Sequence, residues 1–141
     1  MLPCAIEIAD FEASRYARFS AYAREAAEQA GLPQEAAERL ELIVEELVLN
    51  IANHGYQGNT GPVAMELYQD GPGIRVRLID QASPFDPDAQ ASPDCSLPLS
   101  ERPLGGLGIM LVKNMSDDMR YHRDGNRNIL DISVRPRGES P

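Results

Sequence analysis

The chain has 141 residues, 43% of them hydrophobic and 25% charged, and its formal net charge is −9. This length suits one domain with a single buried core, and the composition is ordinary for a soluble globular protein. The acidic balance argues against sequence-independent binding to nucleic acid and against docking on an anionic membrane, because both depend on basic side chains.

The first half of the chain predicts one strand followed by two helices. Cys4–Ile8 alternates apolar and polar residues as a short strand does. Asp10 is a candidate N-cap for a helix over Phe11–Gln29, which Gly31 would close. A second helix is predicted over Pro33–His54, since proline is favoured at the start of a helix.

The second half predicts two hairpins and a short helix. Strands with period-two alternation are predicted over Val63–Gln69, Ile74–Asp80, Met119–His122 and Asn128–Val134. Glycine-rich turns join them in pairs, and Ile109–Asn114 predicts the short helix. We therefore predict an α+β, two-layer sandwich: a mixed, mostly antiparallel sheet with helices on one face.

The segment over 81–103 has no periodicity and contains five prolines. A structureless stretch of about twenty residues inside a compact domain is more often a functional lid than a linker. Residues 1–136, with this segment included, are expected to form one domain, with 137–141 as a tail.

The cysteines and the N-terminus give little sign of export. Cys4 and Cys95 are too few and too far apart for a disulfide scaffold or a zinc site, so two reduced thiols are expected. The sequence has no apolar run long enough to span a bilayer and no signal-peptide pattern. We therefore expect a cytoplasmic protein.

The predicted second helix carries polar residues beside an apolar stripe. The stripe consists of Leu40, Ile43, Val44, Leu47, Val48 and Ile51. Glu46, Asn50 and Asn53 follow one another at i+4 and i+3 along its edge, which predicts one polar flank. Glu41 and Glu45 fall on the far side of the helix, where solvent is the expected partner.

This polar flank has the residue types of a phosphate-handling site. The carboxamide oxygen of Asn50 is a ligand suited to Mg²⁺, and Glu46 could take a proton from an attacking hydroxyl or water. Asn is a poor helix former, so asparagines here need a reason. The alternative is a helix that frays into a turn at His54-Gly55-Tyr56, with Gly55 as a left-handed cap.

Asp80 stands at the end of an apolar strand, just before a Pro-containing loop. A carboxylate there can accept a hydrogen bond from an exocyclic amine, which favours adenine over guanine. The alternative is a strand-end aspartate that starts a turn.

Gly105-Gly106-Leu107-Gly108 precedes the predicted short helix. Glycines let backbone amides approach a polyphosphate, and a helix N-terminus adds favourable partial charge. A lone glycine cluster is weak support for phosphate binding, and this one matches neither the P-loop nor the dinucleotide fingerprint.

In this order the three segments resemble the ATP-binding domain of the histidine-kinase-like (GHKL) superfamily, which type II topoisomerases, sensor histidine kinases, MutL and bacterial anti-sigma factor kinases share. The chain most resembles the last group, the RsbW/SpoIIAB-like serine/threonine kinases, over almost its whole length. Glu46–Asn50 with His54-Gly55-Tyr56 fits the Asn box. Asp80 with Pro84–Pro87 fits the first glycine box, and Gly105–Ile109 fits the second. The resemblance implies a Bergerat-type ATP-binding fold.

The resemblance also implies ATP and Mg²⁺ as cofactors. The implied nucleotide-binding residues are Asn50, Asn53, Asp80, Ala82, Phe85, Arg102, Gly105, Gly106, Leu107 and Gly108. Asn50 would coordinate Mg²⁺, Glu46 would be the general base, and Asp80 would accept from the adenine amine. The segment between Phe85 and Pro103 would close over the triphosphate. Arg102 would reach the terminal phosphate, unless it is simply an exposed loop arginine.

The chain departs from the family pattern at one place. The first glycine box normally has glycine two residues after the aspartate, and Ala82 stands there instead. If that position needs a positive φ, alanine costs on the order of 1 kcal/mol. If it needs only close approach to adenine, the methyl is tolerated with some loss of affinity.

The function implied by the resemblance is transfer of the ATP γ-phosphate to a serine on an anti-anti-sigma (STAS-type) partner, after which the kinase sequesters a sigma factor. One alternative is a nucleotide-dependent binding module that holds a partner without phosphorylating it. An intrinsic ATPase is a third interpretation, weakened by the lack of a second domain to move. A homodimer is left open, and neither direct nucleic-acid binding nor membrane binding is expected.

Overall fold

The computed structural model describes residues 3–84 and 104–137, with only the backbone described over 104–109. The strands are β1 Cys4–Phe11, β2 Gly61–Asp70, β3 Gly73–Asp80, β4 Asp118–Asp124 and β5 Arg127–Val134. The α-helices are α1 Tyr16–Ala30, α2 Gln34–Asn50 and α3 Leu104–Met115. No helix within these ranges is both long and apolar enough to cross a membrane.

The strands form one sheet in the order β1-β2-β3-β5-β4. Every neighbouring pair in the described ranges is antiparallel, so the parallel pair that a mixed sheet would contain is absent from this part of the chain. The hairpin turn between β2 and β3 is confirmed, with Gly71 at a φ of +58°. The α+β sandwich predicted from the sequence is confirmed.

The core lies between one face of the sheet and the helices. Period-two alternation sends Met65, Leu67, Val76 and Leu78 inward, where each is at most 1% exposed. They pack with the apolar stripe of α2 and with Phe19 of α1 in one cluster. The opposite face is polar, with Arg77 of β3 paired to Asp131 of β5 at 2.8 Å.

The first strand is longer than predicted, and the first helix starts later. β1 continues to Phe11 through a bulge, because Phe11 is fully buried against Phe19 with their rings 5.1 Å apart. A 3₁₀ turn over Ala13–Arg15 then leads into α1. Asp10 therefore lies in the strand and does not cap the helix; its carboxylate is 3.5 Å from Arg15. The predicted Gly31 cap is confirmed by its φ of +70°.

α3 also begins earlier than predicted. It starts at Leu104, so the glycines at 105, 106 and 108 lie within its first turns and do not precede it. Leu104, Leu107 and Leu111 repeat at helical spacing, which favours a helix despite the cost of glycine.

A buried arginine fixes α2 against α3 and the end of the sheet. Arg39 on α2 is 7% exposed, and its Nε donates to Glu35 at 2.8 Å. Its Nη1 atom donates to the backbone oxygen of Met115 at 2.8 Å and to Asp117 at 3.0 Å. Its Nη2 atom donates to the backbone oxygen of Arg135 at 2.6 Å. These contacts join three segments that are far apart in sequence.

Candidate functional site

The helix that carries the Asn box changes its winding at its C-terminal end. α2 ends at Asn50, and a π-helical turn follows over Ile51–Gly55, closed by the amide of Tyr56 donating to the oxygen of Ile51 at 2.8 Å. A π-helical turn holds more residues than an α-helical one, and such turns are frequent at functional sites. The extra residue changes which side chains share a face.

The predicted polar flank is consequently only partly formed. Asn50, Ile51, His54 and Gly55 line a cleft, whereas Asn53 is exposed and is not among the residues that line it. α-Helical spacing placed Asn53 beside Asn50, but the winding changes between these two residues. The alternative of Gly55 as a left-handed cap is wrong, because its φ is not positive; Gly58, at +82°, takes that conformation.

The other face of α2 also differs from its prediction. Glu41 is paired with Arg24 of α1, and Glu45 accepts a hydrogen bond from Ser20 of α1 at 3.3 Å. Both glutamates therefore face the neighbouring helix, where solvent had been expected. The sequence does not show which side of α2 is covered by α1.

Asp80 is the buried acidic residue among those that line the cleft. It is 7% exposed, and its Oδ1 accepts from Asn128 Nδ2 and from the backbone amide of Ala82, both at 2.9 Å. Burial raises the pKa of Asp80, an effect opposed by these two hydrogen bonds and by the positive charge of Arg123. Within the described residues, Oδ2 has no hydrogen-bond partner, so one acceptor is available.

Asn128 is a site residue that the sequence analysis did not identify. It lies directly opposite Asp80 in the β3–β5 pairing. Its Nδ2 also donates to the backbone oxygen of Ser83 at 3.0 Å, and its Oδ1 accepts from Tyr121 at 2.6 Å and from Arg123 at 3.1 Å. A polar residue at an inward position of an otherwise apolar strand was the available signal.

The structure resolves the question raised by Ala82. Its φ is not positive, so alanine carries no left-handed strain there. Its backbone oxygen accepts from Arg123 at 2.8 Å, and the residue is 6% exposed. An ideal Cβ added to Gly55 would lie 3.0 Å from the Ala82 Cβ, so Gly55 provides the space that the Ala82 methyl uses.

Glu46 and Asn50 are both half-buried and, within the described ranges, neither side chain has a hydrogen bond or ion pair. Asn50 lines the cleft, and Glu46 lies one helical turn earlier, outside the lining. The carboxamide of Asn50 is thus available to a ligand.

The cleft runs between the end of α2 and the start of the loop after β3. It has a volume of about 110 Å³ and is lined by Asn50, Ile51, His54, Gly55, Asp80, Ala82, Ser83, Pro84 and Asn128. A neighbouring hollow shares Asn50 and Asp80 and adds apolar walls from Leu47, Leu78 and Leu130. Apolar walls around one buried acceptor suit a flat heterocycle that carries an amine.

Several predicted site residues lie outside the part of the chain whose side chains the structure describes. Phe85 and Arg102 lie outside the described residues, as does the predicted lid between Phe85 and Pro103. Gly105, Gly106, Leu107 and Gly108 are placed only as backbone at the start of α3.

The antiparallel sheet, the helical layer and the cleft beside Asp80 define a class of protein. The pattern of the histidine kinase-like ATPase domain matches residues 9–134, and the chain belongs to that family.

Among individual proteins, the chain is similar to the serine-protein kinase RsbW of Listeria monocytogenes, with 29% identity over 105 residues, 70% of this chain and 66% of that kinase. It is 26% identical over 110 residues to RsbW of Bacillus cereus, covering 74% and 68% of the two chains. The Listeria match thus spans slightly less than two thirds of that relative. The fold also resembles the crystal structure of the RsbU and RsbW domains of a Mycobacterium tuberculosis protein, with a TM-score of 0.61 at 17% identity, covering 94% of this chain and 32% of that one.

Proposed function

We propose that this protein binds ATP, phosphorylates a serine on an anti-anti-sigma (STAS-type) partner and sequesters a sigma factor. The observation that carries the nucleotide assignment is the buried Asp80 carboxylate, with one oxygen held by Asn128 and Ala82 and the other without a partner in the described residues. The similarity to RsbW serine-protein kinases supports a serine as the acceptor.

Each described site residue has a proposed role. Asp80 accepts a hydrogen bond from the adenine amine, which a guanine carbonyl cannot donate. Asn50 offers its free carboxamide oxygen as the protein ligand to Mg²⁺, which when bound neutralises phosphate charge. Glu46 accepts the proton of the attacking serine hydroxyl.

The regulatory part of the proposal follows from charge. A phosphoserine adds about −1.5 to −2 charges to the partner's surface. This chain is itself acidic, with a formal net charge of −9. Phosphorylation would therefore weaken the contact with the partner and free this protein to bind the sigma factor.

A nucleotide-dependent binding module without kinase activity is the second candidate. It is favoured by one specific observation: Glu46 is outside the residues that line the cleft. A glutamate at position 46 is therefore also compatible with a protein that has no kinase activity.

The Glu46→Gln substitution separates the two candidates. It is nearly isosteric, so it should preserve binding of ATP and of the partner while slowing phosphoryl transfer by roughly 10²–10⁴-fold. The assay follows transfer from labelled ATP to the cognate anti-anti-sigma protein. Glu45→Gln is the matched control, since Glu45 faces Ser20 of α1.

Two outcomes would contradict the kinase proposal. Equal transfer rates for Glu46→Gln and the parent would remove Glu46 as the base. Tight binding of ATP and partner by a parent protein that transfers nothing would favour the binding module.

A further inference from the structure

Tyr56 links the end of the π-helical turn to two strands. Its backbone amide closes that turn, and its side chain reaches across to the sheet. The hydroxyl donates to the backbone oxygen of Pro62 at 2.6 Å and accepts from the backbone amide of Gln81 at 2.8 Å. One side chain thus connects the segment bearing Asn50 with the residue that follows Asp80.

The two backbone groups joined by this hydroxyl are strand neighbours. β2 and β3 pair with Val63 opposite Asp80, so Pro62 and Gln81 would form the next pair of the ladder. The Tyr56 oxygen stands between them and relays the hydrogen bond from the amide to the carbonyl. The strands are therefore held apart at the point where the loop of the cleft begins.

The ring of Tyr56 has a dedicated place. An ideal Cβ added to Gly61 would overlap Tyr56 Cε1 and Cζ, so glycine at this position leaves room for the ring. Burial raises the pKa of the Tyr56 hydroxyl, against the opposing effect of the Gln81 hydrogen bond, so the group stays protonated near neutral pH and keeps donating.

We propose that Tyr56 is a positioning residue for the nucleotide cleft. Its hydroxyl sets the separation between the strands at Pro62 and Gln81 and thereby the placement of Asp80 and Ala82 relative to the end of α2. This inference rests on the proposed function, because it assigns Tyr56 to the site where ATP would bind.

The test is Tyr56→Phe, with Tyr68→Phe as the matched control. Tyr68 lies on the outer face of β2, where its hydroxyl donates to Glu66. Hydrogen exchange is measured at the amides of Gln81 and Ala82 without nucleotide, and ATP and GTP affinities are measured by calorimetry. For Tyr56→Phe, exchange at these two amides should be about fivefold faster or more, which is the worth of one lost hydrogen bond. ATP affinity should fall by a similar factor while GTP affinity stays constant.

Three outcomes would overturn the proposal. The first is unchanged exchange at the Gln81 and Ala82 amides in Tyr56→Phe, as expected if Gln81 then pairs directly with Pro62. The second is exchange that rises equally throughout the protein. Faster local exchange with unchanged ATP affinity would leave Tyr56 a purely structural residue. Gly61→Ala, which displaces the ring and keeps the hydroxyl, should reproduce the effects of Tyr56→Phe.

Failure of the proposed function has a different signature. If the parent protein does not prefer ATP over GTP, the nucleotide assignment falls. The exchange rates in the nucleotide-free protein then decide alone whether Tyr56 positions Gln81 and Ala82.

Discussion

Asp80 and Asn128 are hydrogen-bonded neighbours in the cleft with different roles. Two donors, the side-chain amide of Asn128 and the backbone amide of Ala82, converge on one of its oxygens. Asn128 in turn has both ends of its carboxamide occupied by other protein groups. It therefore orients Asp80 and has no spare donor or acceptor for a ligand, so we propose Asp80 alone of these two residues as the contact to the base.

Asp80→Asn should reverse the base preference of the cleft. The new carboxamide can keep its oxygen towards Asn128 and Ala82, so folding is retained, but an NH₂ replaces the free acceptor. ATP affinity should fall by about 10- to 100-fold, the worth of a mismatched buried polar pair, while GTP affinity should rise.

Calorimetry on the parent, Asp80→Asn and the exposed control Asp124→Asn checks this. Equal affinity of the parent protein for ATP and GTP would show that Asp80 does not discriminate between adenine and guanine.

Two elements meet closely at the cleft: the π-helical turn and the loop after β3. Their contact is the packing of the Ala82 methyl in the space above Gly55. Arg123 and Asn128 hold the loop from the sheet side, and the Tyr56 hydroxyl holds it from the side of the turn. The loop therefore has little freedom to move towards the sheet when a substitution alters the π-helical turn.

Gly55→Ala should narrow the cleft, and Ala82→Gly should restore it. The added Cβ would meet the Ala82 Cβ at 3.0 Å, so one wall must move. We expect Gly55→Ala alone to weaken ATP binding by about tenfold or more, and the double variant to recover most of that loss because the two methyls compete for one space.

A double-mutant cycle of ATP affinities tests this coupling. Additive losses in the double variant would mean that the two positions do not share the space.

The elements differ in how well the sequence predicts them. Period-two alternation located β2, β3 and their hairpin, because one face of each strand is buried and the other is polar. The spacing of apolar residues likewise located α2. These patterns are local, so neighbouring residues in the sequence are sufficient to reveal them.

The incorrect expectations depend on non-local or subtle features. The π-helical turn moved Asn53 off the flank, and the α1 contact took Glu41 and Glu45 away from solvent. The role of Asn128 depends on strand order, which brings it opposite Asp80 across a separation of 48 residues. Asp10 seemed a cap because its residue type suits one, but the burial of Phe11 prolongs the strand past it.

At the scale of the whole fold, buried Asp80 and partly exposed Asp117 respond to pH in opposite ways. Burial tends to raise the pKa of Asp117, but the Arg135 amide and Arg39 outweigh it and lower that pKa below the ordinary 3.8. Asp117 therefore stabilises the fold above that value and loses this contribution as the pH falls through its lowered pKa. The pKa of Asp80 is raised, so its favourable contribution exists at low pH and is lost as the pH rises through that pKa.

Asp117→Asn should lower the free energy of unfolding at pH 7 by about 1–3 kcal/mol, because the buried guanidinium of Arg39 and the backbone amide of Arg135 lose a charged acceptor. The difference from the parent should shrink as the pH falls below about 4. Denaturant unfolding at several pH values measures this. Asp118→Asn is the adjacent control, since its partner Arg120 is largely exposed. A deficit independent of pH would contradict the assignment.

The buried arginine that joins α2 to α3 and β5 also bears on how long the folded state persists. The Arg39 partners Met115, Asp117 and Arg135 are 76, 78 and 96 residues away along the chain. Contacts across such separations have a large loop-closure cost, so we expect them to form after the folding transition state.

Arg39→Met should consequently accelerate unfolding by roughly 100-fold, in line with about 3 kcal/mol for breaking a buried ion pair, and leave the folding rate almost unchanged. Stopped-flow measurements over a range of denaturant concentrations would separate the two rates, with Arg24→Met as the exposed control. A slower folding rate would place the Arg39 contacts in the nucleus. If instead only unfolding accelerates, this one side chain sets the lifetime of the native protein without governing how quickly it is reached.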